Sequence, residues 1–223
     1  MRRFVRCNGL TLVMTGLFLA ALIGQTATGF RVHNQDQEEH GEPTIGVSAY
    51  LTSGHFVEAV FENWESEFLQ MGMYVLLTVF LFQSGSPVSK MRGDPEEVDA
   101  MSRGHADVPW PVRRGGVALR LYEHSLTIAL LGLFAASLAL HAVGGAKDAT
   151  ERAAERGEGP VSLLDYLGSA TFWFESMQNW QSEFLSIGVL VVLTIFLRQR
   201  GSPESKPIDP PHKEQGRSNA RTA

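Results

Sequence analysis

This 223-residue sequence has almost no cysteine, and four of its segments lack basic residues altogether. Its one cysteine, Cys7, excludes an intrachain disulfide and a cysteine-ligated metal cluster. All 19 Lys and Arg residues lie outside four apolar segments, which are residues 9–30, 68–82, 125–145 and 184–197. A soluble core tolerates a charge at most helix edges, whereas hydrocarbon does not. This complete exclusion of basic residues therefore predicts that the four segments lie in lipid.

Two of the apolar segments are long enough to cross a membrane unaided. A transmembrane helix needs about 20 residues, at ~1.5 Å per residue, to cross ~30 Å of hydrocarbon. The segments at 68–82 and 184–197 are shorter, but apolar residues at helical spacing precede each of them. We therefore predict four transmembrane helices, and these cover about residues 9–30, 56–82, 123–145 and 172–198.

The chain overlays itself without a gap when it is shifted by 116 residues. Between residues 8–90 and 124–206, 33 of the 83 aligned pairs are identical. This duplication predicts an all-α integral membrane bundle of two tandem, parallel two-helix repeats, related by an axis along the membrane normal. The first apolar segment resembles a secretory signal peptide, but its counterpart lies in mid-chain. We therefore expect the first helix to be retained.

Four parts make up the predicted domain organisation. A first repeat (8–90) is followed by a cytoplasmic linker (91–121), a second repeat (122–206) and a disordered tail (207–223). The linker is mixed in charge and poor in apolar residues, which is typical of a flexible segment. Its Trp110 has two interpretations, an anchor at the membrane interface or a docking point for a partner.

Basic residues divide unequally between the two predicted sides of the membrane. The N-terminus, the 83–121 loop and the tail from Arg198 carry three, six and six Lys or Arg residues. The loops at 31–54 and 146–171 carry one and three. Because basic residues mark the cytoplasmic side, both termini and the middle loop are predicted to be cytoplasmic.

Two motifs recur in the two repeats. Asn-Trp-Glu/Gln-Ser-Glu-Phe-Leu occupies 63–69 and 179–185, and Gly-Ser-Pro-x-Ser-Lys occupies 85–90 and 201–206. On these motifs, over about residues 8–206, the sequence resembles an uncharacterised family of bacterial four-span membrane proteins, a domain of unknown function. The resemblance implies a bacterial plasma membrane and the duplicated bundle, and it brings no substrate, cofactor or catalytic residue. The Gly-Ser-Pro motif itself is explained as helix termination, with a Gly cap, a Pro stop and a Lys at the headgroups.

The first motif supplies the candidate site. Asn63 and Glu67 share one helix face, as do Asn179 and Glu183 in the second repeat. An ionisable group at membrane depth is costly and is by default a functional hypothesis. Two carboxylates facing each other would suit a proton or a cation. The alternative is structural, because a Glu in the first turns of a helix suits the helix dipole.

Other polar and small residues have simpler explanations. Trp64 and Trp180 are predicted interface anchors. The seven histidines show no pair at ligand spacing, so we predict no metal, and His141 needs only a hydrogen bond. A stripe of small residues is expected to pack helices closely, and it comprises Gly16, Ala20, Gly24, Gly132 and Ala136. Six acids cluster on the outer half-helices, namely Glu58, Glu62, Glu65, Glu67, Glu175 and Glu183.

The sequence therefore favours a polytopic membrane protein of unknown, non-catalytic activity that acts by packing or partner contacts. The expected partners are the lipid bilayer and either a second copy or another membrane protein, with no nucleic acid. No cofactor is expected, because no dinucleotide or phosphate-binding motif occurs. The alternative function is a small cation or proton channel or carrier that uses Glu67 and Glu183. An intramembrane enzyme is a third hypothesis, and it would need a further chemical group near these carboxylates.

Overall fold

A computed structural model describes residues 2–90 and 108–214, and within them the chain forms nine α-helices and no strand. The helices are α1 (Arg2–Cys7), α2 (Gly9–Glu39), α3 (Val47–Tyr50), α4 (Gly54–Phe80), α5 (Trp110–Arg114), α6 (Gly116–Glu123), α7 (Ser125–Glu155), α8 (Leu163–Leu167) and α9 (Ala170–Phe196). The all-α class predicted from the sequence is confirmed for these residues.

The four long helices coincide with the four predicted spans. α2 and α7 have 31 residues each, and α4 and α9 have 27 each. α2 continues to Glu39 rather than ending near residue 30, because residues 31–39 are polar but contain no glycine or proline. It ends just before Gly41, whose φ is +76°, and α7 ends just before Gly157, whose φ is +71°. Both of these long helices therefore run well beyond their apolar parts.

Three of the long helices, α2, α7 and α9, are long and apolar enough to cross a membrane. α4 is not among them, although it matches the predicted span at 56–82. Its first half carries four glutamates, which leave a continuous apolar stretch only toward its C-terminal end. The composition of the helices therefore supports three candidate spans rather than the four predicted. Large apolar side chains on α2, α7 and α9 are exposed, as expected for helices that face lipid.

The chain divides into two compact units. Unit 1 consists of Met1–Glu62 and Leu138–Trp173, and unit 2 consists of Asn63–Ser137 and Phe174–Ala223.

Glycines let two helices touch through their backbones in unit 1. A Cβ on Gly144 of α7 would lie 2.5 Å from the backbone nitrogen of Glu58 in α4. A Cβ on Gly54 would lie 2.7 Å from the Cα of Asp148. Only glycine permits such an approach. The predicted small-residue stripe is not used in this way, because a Cβ on Gly132 would meet no atom of the described chain within 4 Å, and the same holds for Gly16 and Gly24.

A small apolar core lies next to this crossing. It consists of the buried residues Ala142, Ala146, Tyr166 and Phe172. The two alanines belong to α7, while Phe172 lies in the first turn of α9. The other buried apolar residues described in unit 1 are Tyr50, Val60 and Ala153, and glycine contacts and buried polar side chains add to the packing.

In unit 2, the Gly-Ser-Pro motifs follow the ends of α4 and α9. Each glycine lies five residues past the helix, in a turn with φ of +83° at Gly85 and +86° at Gly201. The glycines therefore lie in turns beyond the helices and are not the helix caps we expected. Ser86 is fully buried, and its hydroxyl lies 2.9 Å from that of Thr194 in α9.

Lys206, which ends the second copy of the Gly-Ser-Pro-x-Ser-Lys motif, was also expected at the lipid headgroups. Lys206 is instead buried, and its ammonium donates to the carbonyls of His212 and Glu214, each at 2.9 Å. Burial lowers the pKa of this ammonium. The predicted tail is thus held to the motif as far as residue 214, and residues 215–223 lie outside the described part. The described end of the predicted linker contains α5 and α6, while residues 91–107 are not described.

Candidate functional site

Tyr166 of unit 1 is positioned by hydrogen bonds at the N-terminal end of α8. Ser162 caps α8 by accepting from the backbone nitrogen of Asp165 at 3.2 Å. Thr150 of α7 donates to the carbonyl of Val161 at 3.2 Å and accepts from its nitrogen at 3.1 Å. The bonds from Thr150 hold the loop between α7 and α8 against α7. Gly145 leaves the room that the tyrosine ring fills, because a Cβ there would fall on the ring.

The tyrosine hydroxyl meets a buried carboxylate. It donates to Oε1 of Glu58 at 2.8 Å, and the two side chains are 3% and 8% exposed. A ring nitrogen of His141 lies within 4.8 Å of a Glu58 carboxylate oxygen, and His141 is completely buried. Phe172 covers this group, with its ring centroid 4.9 Å from that of His141 and 5.6 Å from that of Tyr166. We call Glu58, Tyr166 and His141 the polar cluster.

The polar cluster joins three ionisable or hydrogen-bonding groups in an apolar setting. A carboxylate removed from water is costly unless hydrogen bonds or a positive charge compensate it. Tyr166 supplies one donor to Glu58. The imidazole can donate or accept, depending on its tautomer. Such a group can therefore hold an exchangeable proton, or offer oxygen and nitrogen ligands to a small cation.

A cavity of about 280 Å³ reaches the polar cluster within unit 1. Glu58 and Tyr166 line it together with Asp148, Arg152 and Arg156. Asp148 is buried and forms an ion pair with Arg152, one helical turn further along α7. The cavity therefore offers water or a small ion a route to the buried carboxylate past charged groups.

The residues predicted as a site lie elsewhere, in unit 2. Asn63 and Glu67 are exposed, while Asn179 and Glu183 are half-buried. The charges of Glu67 and Glu183 lie close enough to interact. Gln70 donates to the backbone carbonyl of Glu183 at 2.9 Å, which joins the two predicted motifs. The amide of Asn179 donates to the carbonyl of Glu175 in its own helix at 3.0 Å.

The predicted interface anchors are both half-buried in unit 2. The indole nitrogen of Trp180 donates to Oε1 of Glu65 at 3.2 Å, and Glu65 is completely buried. The ring of Trp180 also packs edge to face against Phe134, with centroids 6.1 Å apart. Trp180 thus has a specific intramolecular partner. Its role as an anchor, like that of Trp64, stays a prediction.

The spacing of Glu58 and Glu65 in the sequence indicates that they share a helix face, and the search for recurring motifs did not use this spacing. Glu58 and Glu65 are seven residues apart, so they share a face of α4. At 100° per residue, Glu67 lies about 180° around the helix from Glu58. The buried pair follows helical periodicity, whereas Glu67 is predicted as an ionisable residue at membrane depth within a motif that occurs at 63–69 and 179–185.

The helices and their exposed apolar surfaces define an all-helical protein compatible with a multi-pass membrane protein. The chain belongs to the family described as Domain of unknown function (DUF6766), whose model matches residues 1–217. This membership confirms the expectation of an uncharacterised family. No curated protein and no solved structure matches the chain.

Proposed function

We propose that this chain is a non-catalytic, multi-pass membrane protein that binds a proton or a small cation at its polar cluster. The observation that carries the proposal is the buried Glu58, which accepts from Tyr166 at 2.8 Å, lies beside His141 and lines a cavity. A carboxylate in this position needs a proton, a cation or strong donors to offset its desolvation. Contacts with the bilayer, a second copy or another membrane protein are compatible with such a site.

The proposed setting is a bacterial plasma membrane with four spans and both termini in the cytoplasm. α4 enters the membrane with α9 as its counterpart, since both have 27 residues and both are followed by the same motif. The charge distribution favours this arrangement, because only two crossings between the N-terminus and the 83–121 loop put both basic segments on one side.

Duplication of a two-helix unit is part of this proposal. Contacts at equivalent positions support it. Asn34 bonds both backbone groups of Ile45 at 3.0 and 3.1 Å, as Thr150 does with Val161, 116 residues further on. Ser53 and Ser169 cap the N-termini of α4 and α9 through the same bond, each 3.2 Å long.

Ion flux into liposomes tests the proposed site. Purified protein is reconstituted, and proton-sensitive and monovalent-cation-sensitive dyes are read in parallel. We expect flux in the wild type, loss of flux in Glu58→Gln, and retention in Glu42→Gln, which neutralises an exposed acid of the same unit. Equal flux in wild type and Glu58→Gln would remove Glu58 from the pathway. No flux from the wild type would favour the packing or partner function.

Glu67 and Glu183 form a second candidate site, because the bond from Gln70 to the carbonyl of Glu183 at 2.9 Å holds their two helix segments together within unit 2. In this case the Glu67→Gln/Glu183→Gln double variant would lose flux while Glu58→Gln would keep it. The same liposome measurement therefore separates the two candidate sites, provided that all variants unfold at the same temperature as the wild type.

A further inference from the structure

A second cavity in unit 1 brings together histidines that are far apart in the sequence. It has a volume of about 410 Å³ and lies among residues of α2, α4 and α7. Its ionisable lining comprises His33, His40, His55, Asp36, Asp148, Glu151, Glu155, Arg152 and Arg156. Four carboxylates therefore face two guanidinium groups, so the cavity favours a cation when its histidines are neutral.

Two of these histidines lie side by side. The ring centroids of His33, from α2, and His55, from the first turn of α4, are 5.4 Å apart, and the rings are inclined by 41°. Tyr50 supports both rings, with centroid distances of 5.7 Å to His33 and 5.9 Å to His55. Tyr50 is 1% exposed, and its hydroxyl lies 3.4 Å from Nδ1 of His55.

The spacing of the two imidazoles suits a shared metal ion. Zinc binds imidazole nitrogen at ~2.0–2.1 Å, and two such rings at a tetrahedral angle place their centroids about 5 Å apart. The observed separation is 5.4 Å. Structural packing on Tyr50 would also bring two rings close together. Packing alone, however, does not require that both rings line a cavity walled by carboxylates.

A carboxylate from the same helix completes this site once its side chain rotates, because His33, His55 and Asp36 do not place three ligand atoms within 4.8 Å of one another in this structure. Asp36 lies three residues after His33, on the same face of α2, and it lines the same cavity. Its carboxylate is now 3.5 Å from Nδ1 of His40. Asp36 and Asp148 both act electrostatically on His55. Two imidazoles with one or two carboxylates and open positions form a ligand set that zinc and similar ions accept.

We propose that His33 and His55, together with Asp36, form a binding site for a divalent transition-metal ion of the zinc class. The site does not depend on the polar cluster and extends the function proposed above.

Metal binding by the purified full-length chain tests the site. The protein carries Cys7→Ser and no histidine tag, so that neither can bind the ion. Zinc affinity is measured by competition with a chromogenic chelator, and cobalt is used as a spectroscopic probe of the ligands. The variants are His33→Gln and His55→Gln, and the control is His124→Gln, an exposed histidine of unit 2.

We expect each site variant to weaken zinc binding at least ~100-fold, since even the loss of an outer-shell partner costs ~10–100-fold. The visible cobalt bands should disappear in the same variants and persist in His124→Gln. Zinc should also raise the unfolding temperature of the wild type but not that of the site variants. Unchanged affinity in both site variants, or equal loss in His124→Gln, would overturn the proposal. Glu58→Gln should keep full zinc affinity, which separates this result from failure of the proposed ion pathway.

Discussion

Replacing Gly144 with alanine tests whether the close crossing of α4 and α7 holds the polar cluster in place. The new Cβ would lie 2.5 Å from the backbone nitrogen of Glu58 and 3.0 Å from the backbone carbon of Val57. Both are backbone atoms and cannot rotate away. Ordinary contact needs ~3.5 Å, so the two helices must separate locally by about 1 Å. That movement would carry Glu58 away from Tyr166.

The size of the effect follows from three opposing contributions. Alanine in place of glycine stabilises a helix by up to ~1 kcal/mol. Overpacking costs about 1–3 kcal/mol, and weakening the buried bond from Tyr166 to Glu58 costs about 1–3 kcal/mol more. We therefore expect Gly144→Ala to lower the free energy of unfolding by about 1–5 kcal/mol. Gly132→Ala in the same helix is the control, because its Cβ would meet nothing within 4 Å.

Tryptophan fluorescence during a titration with denaturing detergent measures these free energies of unfolding. The expected order of stability is Gly132→Ala, then wild type, then Gly144→Ala. A Gly144→Ala protein as stable as the wild type would show that the two backbones do not touch. If Gly144→Ala cannot be purified, Gly54→Ala at the start of α4 tests the same crossing, because its Cβ would lie 2.7 Å from the Cα of Asp148 in α7.

Three further predictions concern single hydrogen bonds and one titration. Tyr166→Phe should lower the free energy of unfolding by about 1–3 kcal/mol in the same titration, because Glu58 loses a buried donor. Ser169→Ala should lower it by about 0.5–2 kcal/mol through loss of the α9 cap, and full stability would refute the cap. The pKa of His40 is raised by a hydrogen bond to the carbonyl of Asp36 and by the Asp36 charge. The backbone amides at the end of α2 should therefore be more protected from hydrogen exchange at a pH below the ordinary histidine pKa. They should lose this protection as the pH rises through the raised pKa of His40. The pH-dependent change in protection should be smaller in Asp36→Asn.

Helix positions were largely predictable from the sequence, whereas helix ends were not. Charge exclusion located all four long helices, because hydrocarbon excludes charged side chains and a segment in hydrocarbon must satisfy its backbone hydrogen bonds as a helix. Those requirements apply only to the apolar parts. α2 continues from the predicted end near 30 to Glu39 because a polar helix in water needs no apolar residues to continue. Its end is determined by backbone conformation at Gly41, which hydropathy does not describe.

Close helix packing was predicted at the wrong glycines. The regular four-residue spacing of Gly16 and Gly24 suggested a packing stripe, yet a Cβ at either position would meet no described atom within 4 Å. The close contacts occur at Gly54 and Gly144, which lie in different helices. The spacing of small residues along one helix shows that this helix has a face without large side chains. It does not show which helix approaches that face, because that depends on tertiary contacts absent from the pattern.

The polar cluster was missed because recurrence between the repeats was taken as the guide to function. Residues shared by both copies, such as Tyr166 and its counterpart Tyr50, include those that build the common scaffold. Glu58 and His141 break the repeat, since their counterparts at 174 and 25 are phenylalanine and glutamine. A residue needed only to hold the shared fold would be needed in both copies. Under the proposed duplication, a buried polar residue present in one copy therefore requires a reason beyond the fold, and such residues are the better starting point in the search for a site.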